Sequence, residues 1–285
     1  MQVTKAVIPA GGLGTRFLPI TKAVPKEMLP IVDKPTLHYV VEEAVLSGAK
    51  EILIIVSEGK DAIRNYFSPN KLYDHVDSPA LTELKDLLSS VRIYYEKEQP
   101  LNGNGGAILL AKEFSDGDPF SVLFGDDIFY SPECPATKQL VNAFIKVRGK
   151  TIVGCQRRSP ADAAKYASID HDEINDGIAK INDIVEKPAI DTLHSPCLCS
   201  VGRFVLPYSI FDALDRTAPV GGEIILANAI RLILKTEEAY ACDFSGEMYD
   251  IGDKFGFLKA NVEYALRSPF KDQSEAYLKE IAKRL

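Results

Sequence analysis

A short apolar run, Ala6-Val7-Ile8, leads directly into AGGLGTR at residues 10–16. The run reads as a buried strand, and Gly11, Gly12 and Gly14 then give a loop with no side chains in the way. Such a loop brings its backbone N–H groups right up to an anion. Arg16, Lys22 and Lys26 follow close behind. Residues 1–34 hold Lys5, Arg16, Lys22, Lys26 and Lys34 against Glu27 and Asp33, a local net charge of +3 in a chain whose overall charge is −7. An acidic protein thus keeps a cationic pocket behind a glycine turn, as a polyphosphate site requires.

Two better-known glycine loops do not fit. The Walker pattern ends in Gly-Lys-Ser/Thr, and Gly14-Thr15-Arg16 stands here instead. The dinucleotide fingerprint needs a third glycine and an acidic residue about twenty positions on. Phe17 follows where that glycine is wanted, and the next strand-like run, 52–56, reaches an acidic residue only at Glu58. Hydride transfer is a poor reading.

Strand-like runs at 7–8, 52–56, 91–95, 120–124, 151–155, 179–185 and 198–205 alternate with helical patterns near 36–47, 60–67, 80–89, 105–113 and 136–148. Residues 68–79 read as a loop. The alternation predicts an α/β fold, a Rossmann-like mixed and mainly parallel sheet flanked by helices. At 285 residues, with 46% hydrophobic and 26% charged side chains, the chain suits one large soluble domain. No apolar run approaches the roughly 18 residues of a membrane span. The start shows no secretory pattern, so a cytoplasmic protein without membrane attachment is expected.

Five cysteines at 134, 155, 197, 199 and 242 argue against a disulfide framework. The Cys197-x-Cys199 pair lacks a second pair for zinc and reads as part of a strand. The histidines show no ligand spacing, and His38 reads as a packing or surface residue on a helix. Net negative charge without a basic stripe argues against nucleic acid as a partner.

The run AGGLGTRFLPITKAVPKEMLPIVDKP at 10–35 closely resembles bacterial UTP–glucose-1-phosphate uridylyltransferases, of the sugar-nucleotidyltransferase superfamily. The likeness continues, in order, through FGDD at 124–127, VEKP at 185–188, SVGRFVLP at 200–207, GGEI at 221–224 and YDIGDKFGFLKANVEYAL at 249–266. It implies one nucleotidyltransferase domain over 1–285, with a nucleotide-binding half at about 1–150 and a sugar-binding half at about 151–268. A C-terminal helix at about 272–285 carries Tyr277, Leu278, Ile281, Ala282 and Leu285 at helical spacing. It packs on its own subunit or joins copies, and a homodimer or homotetramer is expected.

The implied reaction has a phosphate oxygen of glucose 1-phosphate attack the α-phosphorus of UTP in line, with pyrophosphate leaving. Two unit negative charges about 5 Å apart repel by roughly 3 kcal/mol at an effective dielectric of 20, so neutralisation and alignment are most of the task. No general base is needed, because the attacking oxygen is already ionised. By the resemblance, Asp126 and Asp250 hold Mg²⁺, with Asp127 behind them. Lys26 serves the nucleotide phosphates and Arg16 the departing pyrophosphate. Ala10 and Gly11 offer backbone groups to the base with Glu27 nearby, and Gly12, Gly14, Thr15 and Gly105 belong to the nucleotide site. Lys187 takes the sugar phosphate, Glu186 and Glu223 take glucose hydroxyls, and Gly202 allows close approach.

Family members carry a glutamine that reads the pyrimidine edge. In KEQPLNGNGGAI at 97–108, Gln99 fills that place with a one-residue shift of register, and Glu98 fills it without one. Two other readings stay open on sequence: an enzyme of the same fold using dTTP or another sugar 1-phosphate, and a non-catalytic regulatory paralogue.

Overall fold

The computed structural model describes residues 2–193 and 196–285. In chain order the strands are β1 (Lys5–Ala10), β2 (Pro30–Ile31), β3 (Lys34–Pro35), β4 (Glu51–Val56), β5 (Arg92–Lys97), β6 (Phe120–Leu123), β7 (Asp127–Tyr130), β8 (Thr151–Arg158), β9 (Ala167–His171), β10 (Ile178–Glu186), β11 (Cys197–Leu206), β12 (Ala239–Asp243) and β13 (Glu247–Asp250). The helices are α1 (Thr36–Leu46), α2 (Asp61–Tyr66), α3 (Pro79–Ser89), α4 (Gly103–Leu109), α5 (Lys112–Ser115), α6 (Ala136–Lys146), α7 (Pro160–Ala163), α8 (Ile210–Asp215), α9 (Leu226–Ile233), α10 (Lys254–Ala265) and α11 (Lys271–Ala282).

Nine strands form one sheet in the order β5-β4-β1-β6-β11-β8-β12-β10-β9. The strand period of two sorts its residues between two core layers. Val7, Leu53 and Ile55 enter one layer with Ile108, Phe211 and Ile230 from α4, α8 and α9. Ala6, Ile8, Ile52 and Ile54 enter the other with Leu37, Val40 and Val41 from α1. Each such fully buried aliphatic side chain contributes roughly 1.5–3 kcal/mol. Because both faces are covered, β1 and β4 read in the sequence as continuous apolar runs rather than alternating ones.

β6 pairs with β11, Val122 opposite Phe204, so the sheet runs unbroken across residue 150. Parallel pairing joins β5, β4, β1 and β6, and again β8 with β12; the remaining pairings are antiparallel. The antiparallel share exceeds the expected one because β11 runs against β6, β8 and β9, and because a tight turn at 172–177 joins β9 to β10 in place of a helical crossover. β9 and β12 were not foreseen, since ASIDH and AYACD present no continuous apolar run. The single helix expected at 105–113 is two, α4 and α5. α11 packs on α10 and leaves Tyr277 exposed. No helix among the described residues is long and apolar enough to cross a membrane.

Candidate active site

Open α/β sheets bind ligands at the carboxyl ends of their parallel strands, and this one gathers its polar residues there. β1 runs into the glycine loop, β4 is followed by Lys60, β5 by Glu98 and β6 by Asp126. Lys60 organises the loop. Its ammonium donates to the carbonyls of Ala10 (2.5 Å) and Gly12 (2.7 Å) and to both oxygens of Glu27 (2.9 and 2.8 Å). Those carbonyls are thereby occupied, while among the described residues the N–H groups of Gly12, Leu13 and Gly14 donate to no protein acceptor. Gly14 sits at φ +65°, which glycine adopts without strain.

Two adjoining cavities result. The first, about 420 Å³, is lined by Gly11, Gly12, Gly14, Thr15, Lys26, Glu98, Leu101, Asn104, Asp126 and Glu223, among others. The second, about 250 Å³, is lined by Arg16, Asp126, Asp127, Tyr166, Glu186, Lys187, Gly202 and Asp250, among others. Asn104, Phe124 and Asp126 border both.

At that junction the Lys26 ammonium is ion-paired with Asp126 Oδ2. Burial works against the Lys26 charge, but the carboxylates of Asp126 and Glu27 outweigh it and hold its pKa above the usual value. Burial likewise opposes the charge on Asp126, and Lys26 outweighs it, holding that carboxyl low. The Lys60–Glu27 pair behaves in the opposite way: burial lowers the lysine and raises the glutamate despite their contact.

Asp250 arrives from 124 residues downstream through a two-stranded ribbon in which β13 pairs with β7, Asp250 opposite Asp127. The Ile251 N–H donates to the Asp126 carbonyl at 2.8 Å and locks the ribbon to the loop. A Cβ placed on Gly252 would stand 3.0 Å from Asp126 Oδ2, 3.0 Å from Asp250 Oδ1 and 3.6 Å from an Arg16 guanidinium nitrogen. The two carboxylates therefore converge on one point beside Arg16. Burial, followed by the charge on Asp126, raises the pKa of Asp250. Asp127 lies behind, pushed well up by burial and by Asp126 and Asp250. Its carboxylate fills the space where a Cβ on Gly202 would fall, and Gly202 takes φ +65° there.

Most residues singled out in the sequence meet at these cavities. Lys22 lines neither, and of the residues assigned by the resemblance four do not line them. Gln99 is turned away, its Nε2 donating to Glu58 at 2.6 Å on the surface, and Glu98 faces the first cavity in its place. Glu98 Oε1 accepts the Asn102 N–H at 3.0 Å, and Oε2 lies 2.6 Å from where a Cβ on Gly11 would stand. Gly105 serves packing: its N–H donates to the Ile224 carbonyl at 2.9 Å, and a Cβ would meet the Ile224 side chain at 2.8 Å. Glu27 is buried beneath the loop and saturated by Lys60, and the Ala10 side chain belongs to the core. Elsewhere, His38, Glu42 and Glu83 bring possible metal ligands within 4.8 Å, but Lys34 pairs with Glu83 there at 2.5 Å. His38 itself is a core residue, its Nδ1 3.0 Å from the Tyr66 hydroxyl and its pKa lowered to about 4 by burial and then by Lys34. His194 lies outside the described residues.

Residues 5–267 match the nucleotidyl transferase family. The chain belongs to that family. It is 41% identical to a UTP–glucose-1-phosphate uridylyltransferase of Staphylococcus saprophyticus over 99% of this chain and 100% of that protein. Against one from Bacillus subtilis it is also 41% identical, over 99% and 97% respectively. Among solved structures it resembles a UDP-glucose pyrophosphorylase complexed with UDP-glucose, with TM-score 0.87, 33% identity and coverage of 94% of this chain and 100% of the other. A UTP-bound enzyme from Acinetobacter baumannii gives TM-score 0.86 and 31% identity, over 98% and 99%. These full-length relatives place the transferase among the UTP–glucose-1-phosphate uridylyltransferases, and it is an enzyme rather than a regulatory paralogue.

Sequence reading of the transferase missed Lys60, whose one signal was a lysine just past the end of a parallel strand. It also missed Asn104, Tyr166 and the buried Glu43–Arg203 pair, although Arg203 stands as the one charge in the apolar run 198–205.

Proposed function

We propose that the enzyme transfers a uridylyl group from UTP to glucose 1-phosphate, with Mg²⁺, giving UDP-glucose and pyrophosphate. The observation that carries this reading is the meeting of a glycine-loop cavity and a second polar cavity at one Lys26–Asp126 pair, with Asp250 and Arg16 alongside. The relatives' names supply the substrates. Asp126 and Asp250 fit a divalent cation: two carboxylates aimed at one point are a donor set that Mg²⁺ takes together with phosphate oxygens and water. When bound, the ion neutralises charge on the phosphates.

The glycine loop takes the triphosphate on its unpartnered N–H groups, and Arg16 takes the departing pyrophosphate with a bidentate fork. Lys26 neutralises the α-phosphate region, where the sugar phosphate oxygen forms its bond to phosphorus as the bond to pyrophosphate breaks. Lys187 and Glu186 hold the sugar phosphate and hydroxyls in the second cavity, which Gly202 lines while the space beside its Cα goes to the Asp127 carboxylate rather than to the sugar. Glu223 borders the first cavity and not the second, so any contact it makes with the sugar hydroxyls comes from the nucleotide side. Incubation with Mg²⁺, UTP and glucose 1-phosphate is expected to yield equal amounts of UDP-glucose and pyrophosphate. Absence of UDP-glucose would overturn the reading.

Lys26→Ala is expected to lower kcat roughly 10²- to 10³-fold, as loss of one aligned charge at a reacting centre does, with little change in KM for glucose 1-phosphate. An effect confined to KM would reduce Lys26 to a binding residue.

Base recognition falls to Glu98. A carboxyl oxygen at that place accepts the imino N–H of uracil, and only the protonated acid also donates to the neighbouring carbonyl. Burial raises the Glu98 pKa and Glu223 adds to the rise, against the Asn102 N–H and Lys60. The protonated form therefore persists to higher pH than for an ordinary carboxyl. KM for UTP is expected to rise as pH climbs through the folded-state pKa of Glu98, and Glu98→Gln should remove that dependence. Gln99→Ala should leave nucleotide preference unchanged. A shift in preference with Gln99→Ala, and none with Glu98→Gln or Glu98→Ala, would return the role to Gln99.

A further inference from the structure

Arg203 is completely buried, yet it lines neither cavity. It sits on β11 at an irregularity in the pairing with β8, between Ser200 and Phe204, next to Gly202 in its left-handed conformation. All five of its N–H groups are used. Nε donates to Glu43 Oε1 at 3.0 Å, and Nη2 donates to Glu43 Oε2 at 2.8 Å and to the Asp127 carbonyl at 2.7 Å. Nη1 donates to the carbonyls of Gly202 at 3.1 Å and Phe124 at 3.4 Å. The guanidinium also lies 4.6 Å from the centre of the Phe129 ring. Glu43 in turn accepts the N–H and hydroxyl of Thr137, at 2.9 and 2.5 Å, at the start of α6.

The three carbonyls bracket the chemistry. Phe124 and Asp127 flank Gly125-Asp126 on either side, and Gly202 forms the wall of the second cavity. A planar cation with five fixed donors can clamp three carbonyls from two chain segments against one carboxylate on α1; a lysine offers three donors from a single point. A buried charge that is fully hydrogen-bonded is also costly to disturb, which makes the clamp rigid.

We propose that Arg203, anchored by Glu43, is a positioning residue for the divalent-cation site, fixing the Phe124–Asp127 loop so that Asp126 meets Asp250 and setting the Gly202 wall at the matching depth. The inference rests on the reading of Asp126 and Asp250 as the cation pair. Arg203 touches no substrate; it acts through the backbone of the residues that do.

The test measures direct binding of Mn²⁺ by electron paramagnetic resonance, together with kcat and KM, on the purified wild-type protein and on Arg203→Lys. The expected result for Arg203→Lys is Mn²⁺ affinity and kcat each reduced roughly 10- to 100-fold, the size seen when supports of metal ligands are removed, with KM for UTP little changed. Phe144→Leu, a core change on α6 chosen to lower Tm by a similar amount, should leave Mn²⁺ affinity and kcat per folded molecule as in the wild type. Equal Mn²⁺ affinity and kcat in Arg203→Lys and wild type would overturn the proposal and reduce Arg203 to a stabilising residue. Should Arg203→Lys fail to accumulate folded, Thr137→Val removes one of the bonds to Glu43. A smaller shift of both quantities in the same direction supports the proposal, and no shift overturns it. Wild-type protein that binds Mn²⁺ no better than Asp126→Ala would instead fault the assignment of the cation pair itself.

Discussion

Asp126→Ala is expected to cut turnover by ~10³-fold or more while leaving the protein folded. Asp126 borders both cavities, pairs with Lys26 and converges on Asp250. On the proposed reading its loss removes a cation ligand, and it also removes the group that holds the Lys26 ammonium at the junction. Several kcal/mol of charge stabilisation then disappear from the reacting centre, and each ~1.4 kcal/mol is a factor of ten in rate. The fold should survive because the electrostatic consequences offset one another. Lys26 loses its partner but keeps Glu27 and Asp127 as neighbours, while Asp250 and Asp127 are relieved of a repelling charge. Unchanged circular dichroism with turnover near zero is the expected pair of observations. Near-normal turnover would remove Asp126 from the cation site.

Lys60→Met should have the largest effect on stability. The ammonium is buried and bonded to both oxygens of Glu27, itself almost wholly inaccessible. Taking away one partner strands the other, a loss of about 3–5 kcal/mol. At this chain length that corresponds to a fall in Tm of roughly 10 °C. The double change Glu27→Leu/Lys60→Met replaces the pair by apolar side chains and should recover much of the loss, as such replacements commonly do. Nucleotide binding should not recover with it, because the carbonyls of Ala10 and Gly12 lose the donor that turns them inward. Thermal unfolding and UTP titration on the same samples check both halves. A single variant as stable as the wild type, or a double variant that binds UTP normally, would contradict this role for Lys60.

What the sequence revealed was local. The glycine loop and Asp126 each follow a strand whose apolar run is visible, and turn residues betray a strand end wherever the neighbours lie, whereas the role of Lys26 came from the resemblance. Asp250 likewise follows a strand-like stretch, 247–249, but its meeting with Asp126 could be expected only through the resemblance, since the ribbon that joins them depends on a pairing across the chain. Glu98 and Gln99 show the limit at one residue. Both are polar and adjacent at the end of β5, and which of them enters the cleft follows from the pleat of that strand and the packing of Glu98 on Gly11, not from chemistry. Lys60–Glu27 and Arg203–Glu43 span 33 and 160 residues, and no periodicity marks a charge that will be buried by a distant partner. Gly105 was assigned to nucleotide by the resemblance alone; its role in letting Ile224 approach α4 appears only in three dimensions.

The most direct measurement is pyrophosphate release by the purified protein with Mg²⁺ and glucose 1-phosphate, offering UTP, dTTP, CTP, ATP and GTP separately. Fast release with UTP, and with UTP far above CTP and ATP, is the expected result, because in the proposed mode the Glu98 carboxyl accepts an imino N–H that cytosine and adenine lack. Release driven by CTP or ATP in preference to UTP, or by none of the five, would contradict the proposed reaction.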